Sequence, residues 1–492
     1  MKLKSKNLNW LAGRPVVILG DDTSKKLNIH VDERISIRYK RKKIYAVVDI
    51  FPDLVKKGEI GLSNEIVSLL GNKNGENLDI GTAEIFAGAR IIKKKMNGES
   101  LTREEIKTLV LEISNNNLTE AEIAYFVAAE KLRGLSYTEI IQLTEAMVNT
   151  GKKLDFGKQI IADKHCIGGI AGNRTTPLVV SICAAAGLKI PKSSSRAITS
   201  AAGTADTVET ISNVELSIEE IKKVVEKTNA CLVWGGSLGL APSDDKMIRV
   251  ERLLNLDVEP QLLASILAKK IAAGSNRIII DIPYGSGKIK TKAKAKALGW
   301  KFKKIAKHFN IKVKPIYTLG TQPIGNGIGP VLEMKDILSV LKNEPNCPKD
   351  LKEKSIFLSA KLMSLCGILF SKSKARNILE NGRAYEKFKE IINAQNKSDD
   401  FDKRVSNLKL AKKQKIIYAE KSGKITEIHN SKINSICRIL GTPETNSAGI
   451  YLYKHLGKVN KGDKLMTLYS ESEQRLGDGL KFIKEFQPIK IN

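Results

Sequence analysis

Between about residues 160 and 340, β-like apolar runs alternate with helical ones through "TPLVVSICAAAGL", "CLVWGG", "RIIIDIPYG" and "KVKPIYTLG". That alternation constrains the fold more than any other feature. It calls for a mostly parallel sheet with helices on its faces. The chain has 492 residues, too many for one hydrophobic core, so two to four domains are expected.

On either side the hydrophobic period changes. Residues 1–81 carry short alternating stretches such as "RISIRYKRKKIYAVVDI", which predict strands and tight turns in a β-rich N-terminal domain. The basic run Arg38, Lys40, Arg41, Lys42 and Lys43 falls at a hairpin turn and reads as solvated. From 82 to 150 three capping boxes appear, Thr102 with Glu105, Thr119 with Glu122 and Ser136 with Glu139, each opening a helical pattern. A compact helical domain follows, and the helical segment 243–273 is expected to rejoin it. Residues 151–242 and 274–412 form the α/β domain, and 413–492 return to β. There "VNKGDKLMTLYS" has the turn-then-strand pattern of a small barrel-sandwich module. The fold class expected is therefore multidomain α/β with β-rich terminal domains.

Charge and composition narrow the partners. The 82 basic residues against 53 acidic give a net charge of +29, an attraction for anions: nucleic acid, phosphorylated metabolites or acidic surfaces. The lysines are spread along the chain, which equally fits solvated faces. In "KIKTKAKAKALGWKFKKIAKHF" they surround a helix instead of forming the stripe that would track a nucleic acid, so nucleic acid is not the expected partner. No apolar run of about 18 residues occurs, and no membrane span is expected. The start "MKLKSKNLNWLAG" lacks the apolar segment and cleavage site of a signal peptide. Six cysteines without a CxxC pair speak against a zinc site or disulfide framework and for a cytoplasmic setting. His308, His429 and His455 show no metal-ligand spacing, so no metal is expected.

Two loops carry the chemistry. In "KHCIGGIAGNRTT" (164–176), Gly168, Gly169 and Gly172 let backbone N–H groups approach a ligand, while Lys164, Arg174, Thr175 and Thr176 add charge and hydroxyl donors. The set suits an oxyanion such as phosphate; a structural turn is the other reading. It is neither a Walker A loop nor a dinucleotide fingerprint. In "KSSSRAITSAAGTADTVE" (192–209), hydroxyls bracket Arg196 among small residues; a serine-rich helix cap is the alternative. Each loop follows an expected strand, so the two would meet at the carboxyl edge of a parallel sheet, where open α/β sheets bind ligands.

"DKHCIGGIAGNRTT", "SSRAITSAAGTAD", "CLVWGG", "LAPSDD", "LASILAKK" and "GTQPIGNGIGP" together resemble the thymidine phosphorylase family, and more closely its archaeal AMP phosphorylase branch. The motifs stand in order, and the match runs over most of the chain, from about residue 80 to 480. The resemblance implies a helical domain and an α/β domain facing each other across a cleft, with phosphate on the α/β side. It also implies a reaction: inorganic phosphate attacks C1′ of AMP, with CMP and UMP as further candidates, releasing the base and forming ribose 1,5-bisphosphate. Neither a metal nor an organic cofactor is implied. The implied assembly is a homo-oligomer, a dimeric core extended through the N-terminal domain.

The residues can be read against that reaction. Phosphorolysis needs a general acid for the leaving base and an anion cradle beneath C1′. Lys164, His165, Gly168, Thr176 and Ser194 are candidates for the cradle, with Gly169 and Thr204 beside them. The resemblance places the acid on Asp257 in "LNLDVEPQLLAS", where Leu254, Leu256, Leu262 and Leu263 could raise its pKa; a helix-capping aspartate is the alternative. The nucleotide positions implied are Gly169, the run Ser195, Arg196, Ala197, Ile198, Thr199 and Ser200, then Thr204, Ser265 and Lys288. Arg196 is the natural partner of a 5′-phosphate, because guanidinium meets phosphate bidentately. Lys269, one helical turn after Ser265, either points the same way or is solvated.

Three departures from the family pattern stand out. Cys166 replaces the usual serine, a weaker donor. Lys288 directly follows the second glycine of "IPYGSGKIK", so either it or Lys290 serves. The arginine that reads a pyrimidine falls near Val250, flanked by Arg249 and Arg252, which favours AMP over a pyrimidine nucleoside. The alternatives carried forward are a pyrimidine nucleoside phosphorylase and, in another class, a basic nucleic-acid-binding protein on a degenerate enzyme fold.

Overall fold

The computed structural model describes residues 1–83, 87–253, 256 and 258–492, with Arg252 by its backbone alone. The chain divides into two compact units, Met1–Ala146 with Lys246–Glu251, and Met147–Asp245 with Arg252–Asn492.

In the first unit, six strands close into a barrel in the order Lys2–Asn7, Glu59–Leu62, Val16–Leu19, Lys42–Ile50, Arg34–Tyr39, Asn77–Thr82. The alternation in "RISIRY" turns Ile35, Ile37 and Tyr39 inward, where they pack with Leu3, Leu19 and Ile80. The basic run forms the exposed hairpin turn between Tyr39 and Lys42, with Lys40 at φ +53°. Helices Ala87–Met96, Arg103–Ser114, Glu120–Arg133 and Tyr137–Thr150 follow. All three capping boxes form: Thr102 with Glu105, Thr119 with Glu122, and Ser136 with Glu139, whose carboxylate also pairs with buried Lys95 at 2.8 Å.

The second unit is built on parallel strands. Lys312–Gly320, Arg277–Gly285 and Ala162–Cys166 form one sheet, Ile190–Ser194 and Ala230–Trp234 another. A parallel bridge between Ile161 and Lys189 joins the two. Ile278, Ile279, Ile280 and Ile282 are all fully buried, the continuous apolar run of a strand covered on both faces. "TPLVVSICAAAGL" is a helix, Thr175–Ala185, buried from Thr175 through Ala184. An all-apolar run of that length has no period to separate helix from strand. It packs against helix Lys349–Leu365, which also lies on strand Arg277–Gly285.

Segment 243–273 divides. Residues 246–251 group with the first unit, whereas helix Glu259–Ala272 belongs to the second. Lys270 on that helix pairs with Asp163 at 2.7 Å, and the Ala272 carbonyl accepts from the Leu154 N–H, contacts that residue spacing cannot reveal. Among residues 413–492, strand Gly449–Leu452 pairs with the short strand Gly327–Ile328 and continues the sheet through Lys464–Ser470 to Lys413–Tyr418, while Gly423–Ile428 pairs with Gly457–Val459 and Ile489–Ile491. Helices Asn430–Leu440 and Glu473–Phe486 pack over them on Ile433, Ile436 and Leu440. The "VNKGDKL" turn forms as read, with the Asn460 N–H donating to the Asp463 carboxylate at 3.0 Å ahead of the last long strand. Helix Lys292–His308 leaves its lysines to solvent around an apolar seam of Leu298, Phe302 and Ile305. Among the described residues no helix is long and apolar enough to cross a membrane.

Candidate active site

Strand Ala162–Cys166 divides its side chains between two faces, as any strand must. Lys164 and Cys166 point toward helix Thr175–Ala185. Buried Lys164 donates to Thr175 Oγ1 at 2.8 Å and Thr176 Oγ1 at 3.2 Å. Burial pushes the Lys164 ammonium below its usual value, against the pull of Cys166 and Asp281. The Cys166 thiol donates to Asp281 Oδ2 at 3.4 Å and faces Asn173 Nδ2 at 3.5 Å. Burial, reinforced by Asp281, pushes that thiol up, so it stays protonated.

Asp163 and His165 turn to the opposite face. Fully buried Asp163 pairs with Lys270 at 2.7 Å and Lys192 at 3.5 Å and accepts from Ser275. Two ammoniums compete for one carboxylate. Burial works to raise Asp163, but the attraction of Lys192 and Lys270 outweighs it and leaves the carboxylate lowered and ionised, while burial brings Lys192 down to about 7. Burial and the nearby Lys270, Lys192 and Lys164 hold His165 well below its usual value, so its ring is neutral. The alternation of the strand therefore separates His165 from the Lys164 cluster.

The glycine loop leaves this strand at its carboxyl end. Gly168 and Gly169 have φ near +88° and +86°. A side chain at Gly169 would sit 2.7 Å from the Lys288 backbone nitrogen, so glycine is what admits the 286–290 loop beside it. Lys288 itself is exposed. Arg174 closes the loop: its guanidinium donates to buried Glu333 at 2.6 Å, to Thr204 Oγ1 at 3.0 Å and to the Ala202 carbonyl at 2.7 Å. One side chain thus ties the two expected loops together.

The second loop follows strand Ile190–Ser194. Ser194 Oγ is shielded from solvent and has no hydrogen-bond partner among the described residues. Gly203 packs against the Ser195–Arg196 backbone, where a Cβ would fall 2.5 Å from the Ser195 carbonyl. Arg196 stacks on Trp234 at 4.7 Å and is paired with Asp206, Glu209 and Glu215. Asp206 also accepts from the backbone of Ala197 and Gly203, fixing the turn. Thr199 is exposed and Ser200 bonds the Ala202 carbonyl. Helix Asn430–Leu440 braces both loops from outside: Asn430 accepts from the Ala171 N–H, Asn434 from Ala201, and Arg438 donates to the Ile198 carbonyl.

A third group lies on helix Glu259–Ala272. Ser265 Oγ donates to fully buried Asp244 at 2.8 Å, and Lys269 pairs with the same carboxylate at 2.6 Å. Lys269 is therefore not a solvated lysine. Burial works against its charge, yet Asp244 and Asp245 hold the ammonium above its usual value. Asp257 and the expected neighbour Leu254 lie outside the described residues. Arg249 pairs with Glu120 in the first unit at 3.7 Å.

Sequence reasoning missed Asp244, Asp281, Glu333 and Lys354. Asp281 had a signal, a lone carboxylate inside the apolar "RIIIDIPYG". Among the described residues no group of three or more His, Cys, Asp or Glu side chains is arranged to hold a metal.

Comparison with known proteins agrees with this architecture. Residues 89–151 match the glycosyl transferase family helical bundle domain, and residues 158–260 its a/b domain. AMP phosphorylase of Thermococcus kodakarensis is 42% identical over all of this chain and 98% of its own length. AMP phosphorylase of Pyrococcus furiosus is 43% identical over the same shares, and AMP phosphorylase 1 of Archaeoglobus fulgidus is 37% identical over 100% and 98%. Anthranilate phosphoribosyltransferase from Thermus thermophilus shares the fold at TM-score 0.52 and 17% identity, covering 62% of this chain and 99% of that one. With full-length identity at this level and the two loops joined at one sheet edge, the chain belongs to the AMP phosphorylase family of glycosyl transferases.

Proposed function

We propose that this chain catalyses phosphorolysis of AMP, and of CMP and UMP as further substrates, in nucleotide salvage. A phosphate oxygen forms the bond to C1′ as the C1′–N bond breaks. The bonding pair leaves with the base, which takes a proton from Asp257, and ribose 1,5-bisphosphate results. Lys164, Gly168, Thr176 and Ser194 receive the attacking phosphate, with His165 on the neighbouring face. Gly169, the run Ser195–Ser200, Thr204, Ser265 and Lys288 receive the nucleotide. Arg196 meets the 5′-phosphate by exchanging Glu209 and Glu215, which are 44% and 53% exposed and lose little by returning to water.

The observation that carries this reading is Arg174 bridging the glycine loop to Thr204, beside a buried Lys164 and a shielded, unpartnered Ser194 hydroxyl. Preorganised donors in a dry pocket are what a transferring phosphate requires. The general acid needs a pKa raised toward neutrality, a demand that the leucines neighbouring Asp257 in the sequence would meet by burying it. A cytoplasmic homo-oligomer, with a dimeric core joined through the N-terminal domain, belongs to the same proposal, as does a four-domain division at 1–81, 82–150 with the returning segment 243–273, 151–242 with 274–412, and 413–492; of the returning segment, residues 246–251 group with the first unit.

The test is adenine release from AMP with and without phosphate, beside adenosine and thymidine, for the wild type and Asp257→Asn. Phosphate-dependent release from AMP, lost in the variant, is expected, and it should persist in EDTA. Turnover of thymidine without AMP would make the chain a pyrimidine nucleoside phosphorylase. Silence on every substrate, with salt-sensitive RNA or duplex binding, would leave the nucleic-acid reading standing.

A further inference from the structure

Four ammonium groups, those of Lys164, Lys192, Lys270 and Lys354, are buried on the two faces of strand Ala162–Cys166. Two buried carboxylates, Asp163 and Asp281, answer them. Arg174 nearby is already matched by Glu333. On the face of Lys164 and Cys166, the ammoniums of Lys164 and Lys354 share the single carboxylate of Asp281, and a surplus of positive charge out of water is strongly unfavourable unless an anion completes the site. A phosphate anion has the missing charge.

Lys354 is the least expected of the four. It lies on helix Lys349–Leu365, far in sequence from every recognised motif. That helix packs on strands Arg277–Gly285 and Ala162–Cys166, and so delivers Lys354 to the face of Lys164 and Cys166. Its side chain is 9% exposed and its Nζ lies 3.0 Å from Asp281 Oδ2. Beyond that ion pair the ammonium, shielded from solvent, has no hydrogen-bond acceptor among the described residues. Asp281 is well supplied without it, accepting from Thr318 Oγ1 at 2.6 Å and from the Cys166 thiol. A buried ammonium with spare N–H groups and an unpartnered Ser194 hydroxyl are two separate unmet demands at one sheet edge.

Resting on the phosphorolysis reading, we propose that Lys354 is a second cation of the phosphate site, held beside Lys164 and Cys166 by Asp281 and giving an N–H to the inorganic phosphate. Lys164 spends donors on Thr175 and Thr176, and one ammonium cannot neutralise a dianion. Lys354 supplies the second charge. Asp281 is then a positioning residue: it holds the Lys354 ammonium in place while the site is empty.

The rival account makes Lys354 nothing more than the counter-ion of Asp281, and a pair of variants separates the two. Lys354→Met should raise KM for phosphate at least tenfold and leave KM for AMP within twofold. It should also shrink the rise in Tm that inorganic phosphate produces in the full chain. Where Lys354→Met fails to fold, the double variant Lys354→Met/Asp281→Asn decides, because it removes both charges together. Wild-type-like Tm with phosphate KM still raised tenfold supports the proposal. Recovery of phosphate KM to within twofold of wild type would overturn it, as would an unchanged phosphate KM in the single variant. If the wild type releases no base from AMP, the phosphorolysis reading itself falls. The phosphate-induced rise in Tm still decides the role of Lys354: lost in the double variant it supports the contact, retained it refutes it.

Discussion

Asp244 should be the most informative residue to neutralise. It is fully buried and accepts from Ser265 Oγ and Lys269 Nζ on Oδ2, at 2.8 and 2.6 Å, and from Gln261 Nε2 on Oδ1 at 3.0 Å. Asp244→Asn keeps the shape, removes the charge and turns one acceptor into a donor. If the amide oxygen stays toward Ser265 and Lys269, the new NH2 faces Gln261. That residue can flip, because its Oε1 is buried and unpartnered among the described residues. The change therefore costs about the difference between charge-assisted and neutral hydrogen bonds, ~1 kcal/mol for each of two bonds, so roughly 2 kcal/mol in all. Asp244→Ala leaves the Ser265 and Gln261 donors without that partner and Lys269 with Asp245 alone at 3.8 Å, and should cost about 3–5 kcal/mol. Ser265 stands in the proposed nucleotide site, and Lys269 one helical turn on shares its anchor, so losing that anchor should raise KM for AMP about tenfold, equivalent to ~1.4 kcal/mol. KM for phosphate should stay put. Urea unfolding and initial rates against each substrate in turn measure both effects. A variant as stable as wild type with an unchanged AMP KM would refute the reasoning; so would a phosphate KM that rises in step with that of AMP.

Two further outcomes follow from the buried charges. Lys192 is brought to about 7 by burial, against the attraction of Asp163 and with repulsion from Lys270 and Lys164. An unfolded lysine keeps its proton to about pH 10.4, so above about pH 7 the unfolded chain binds more protons and stability rises with pH. Lys192→Met should flatten the rise in urea midpoint between about pH 7 and 8.5, leaving the smaller slope from Lys246, itself lowered to about 8. Parallel profiles for variant and wild type would sink this account. Cys166→Ser replaces a thiol that burial and Asp281 keep protonated. Phosphate KM should fall several-fold, because a hydroxyl donates more strongly, while Tm moves little; a higher phosphate KM in the serine variant would contradict this.

What could be read from the chain beforehand depended on the range of the interaction. The capping boxes join residues three apart, as in Thr119 and Glu122, so the sequence displays both partners side by side. The Lys40 hairpin and the "VNKGDKL" turn are equally local. The first loop's backbone freedom was visible for the same reason, as Gly168, Gly169 and Gly172 fall in one short stretch. The joining of the loops was not. Arg174 finds Glu333 across 159 residues, and Asn430 reaches Ala171 across 259. Strand alternation did hold a clue that went unused: in "ADKHC" a period of two must send His165 away from Lys164. The excess of lysine was the most misleading feature, because a net charge of +29 spread along the chain reads as solvated faces. For helix Lys292–His308 that reading is sound. Lys164, Lys192, Lys270 and Lys354 have the same composition and the opposite fate, buried from water on the two faces of one strand. A burial that costs so much persists only where something recovers the cost; Asp163 does so for Lys192 and Lys270, whereas Lys164 and Lys354 share Asp281 and leave the rest of that task to an anionic ligand. The number of charges could not distinguish these lysines from the rest; the number of counter-charges within reach of each does.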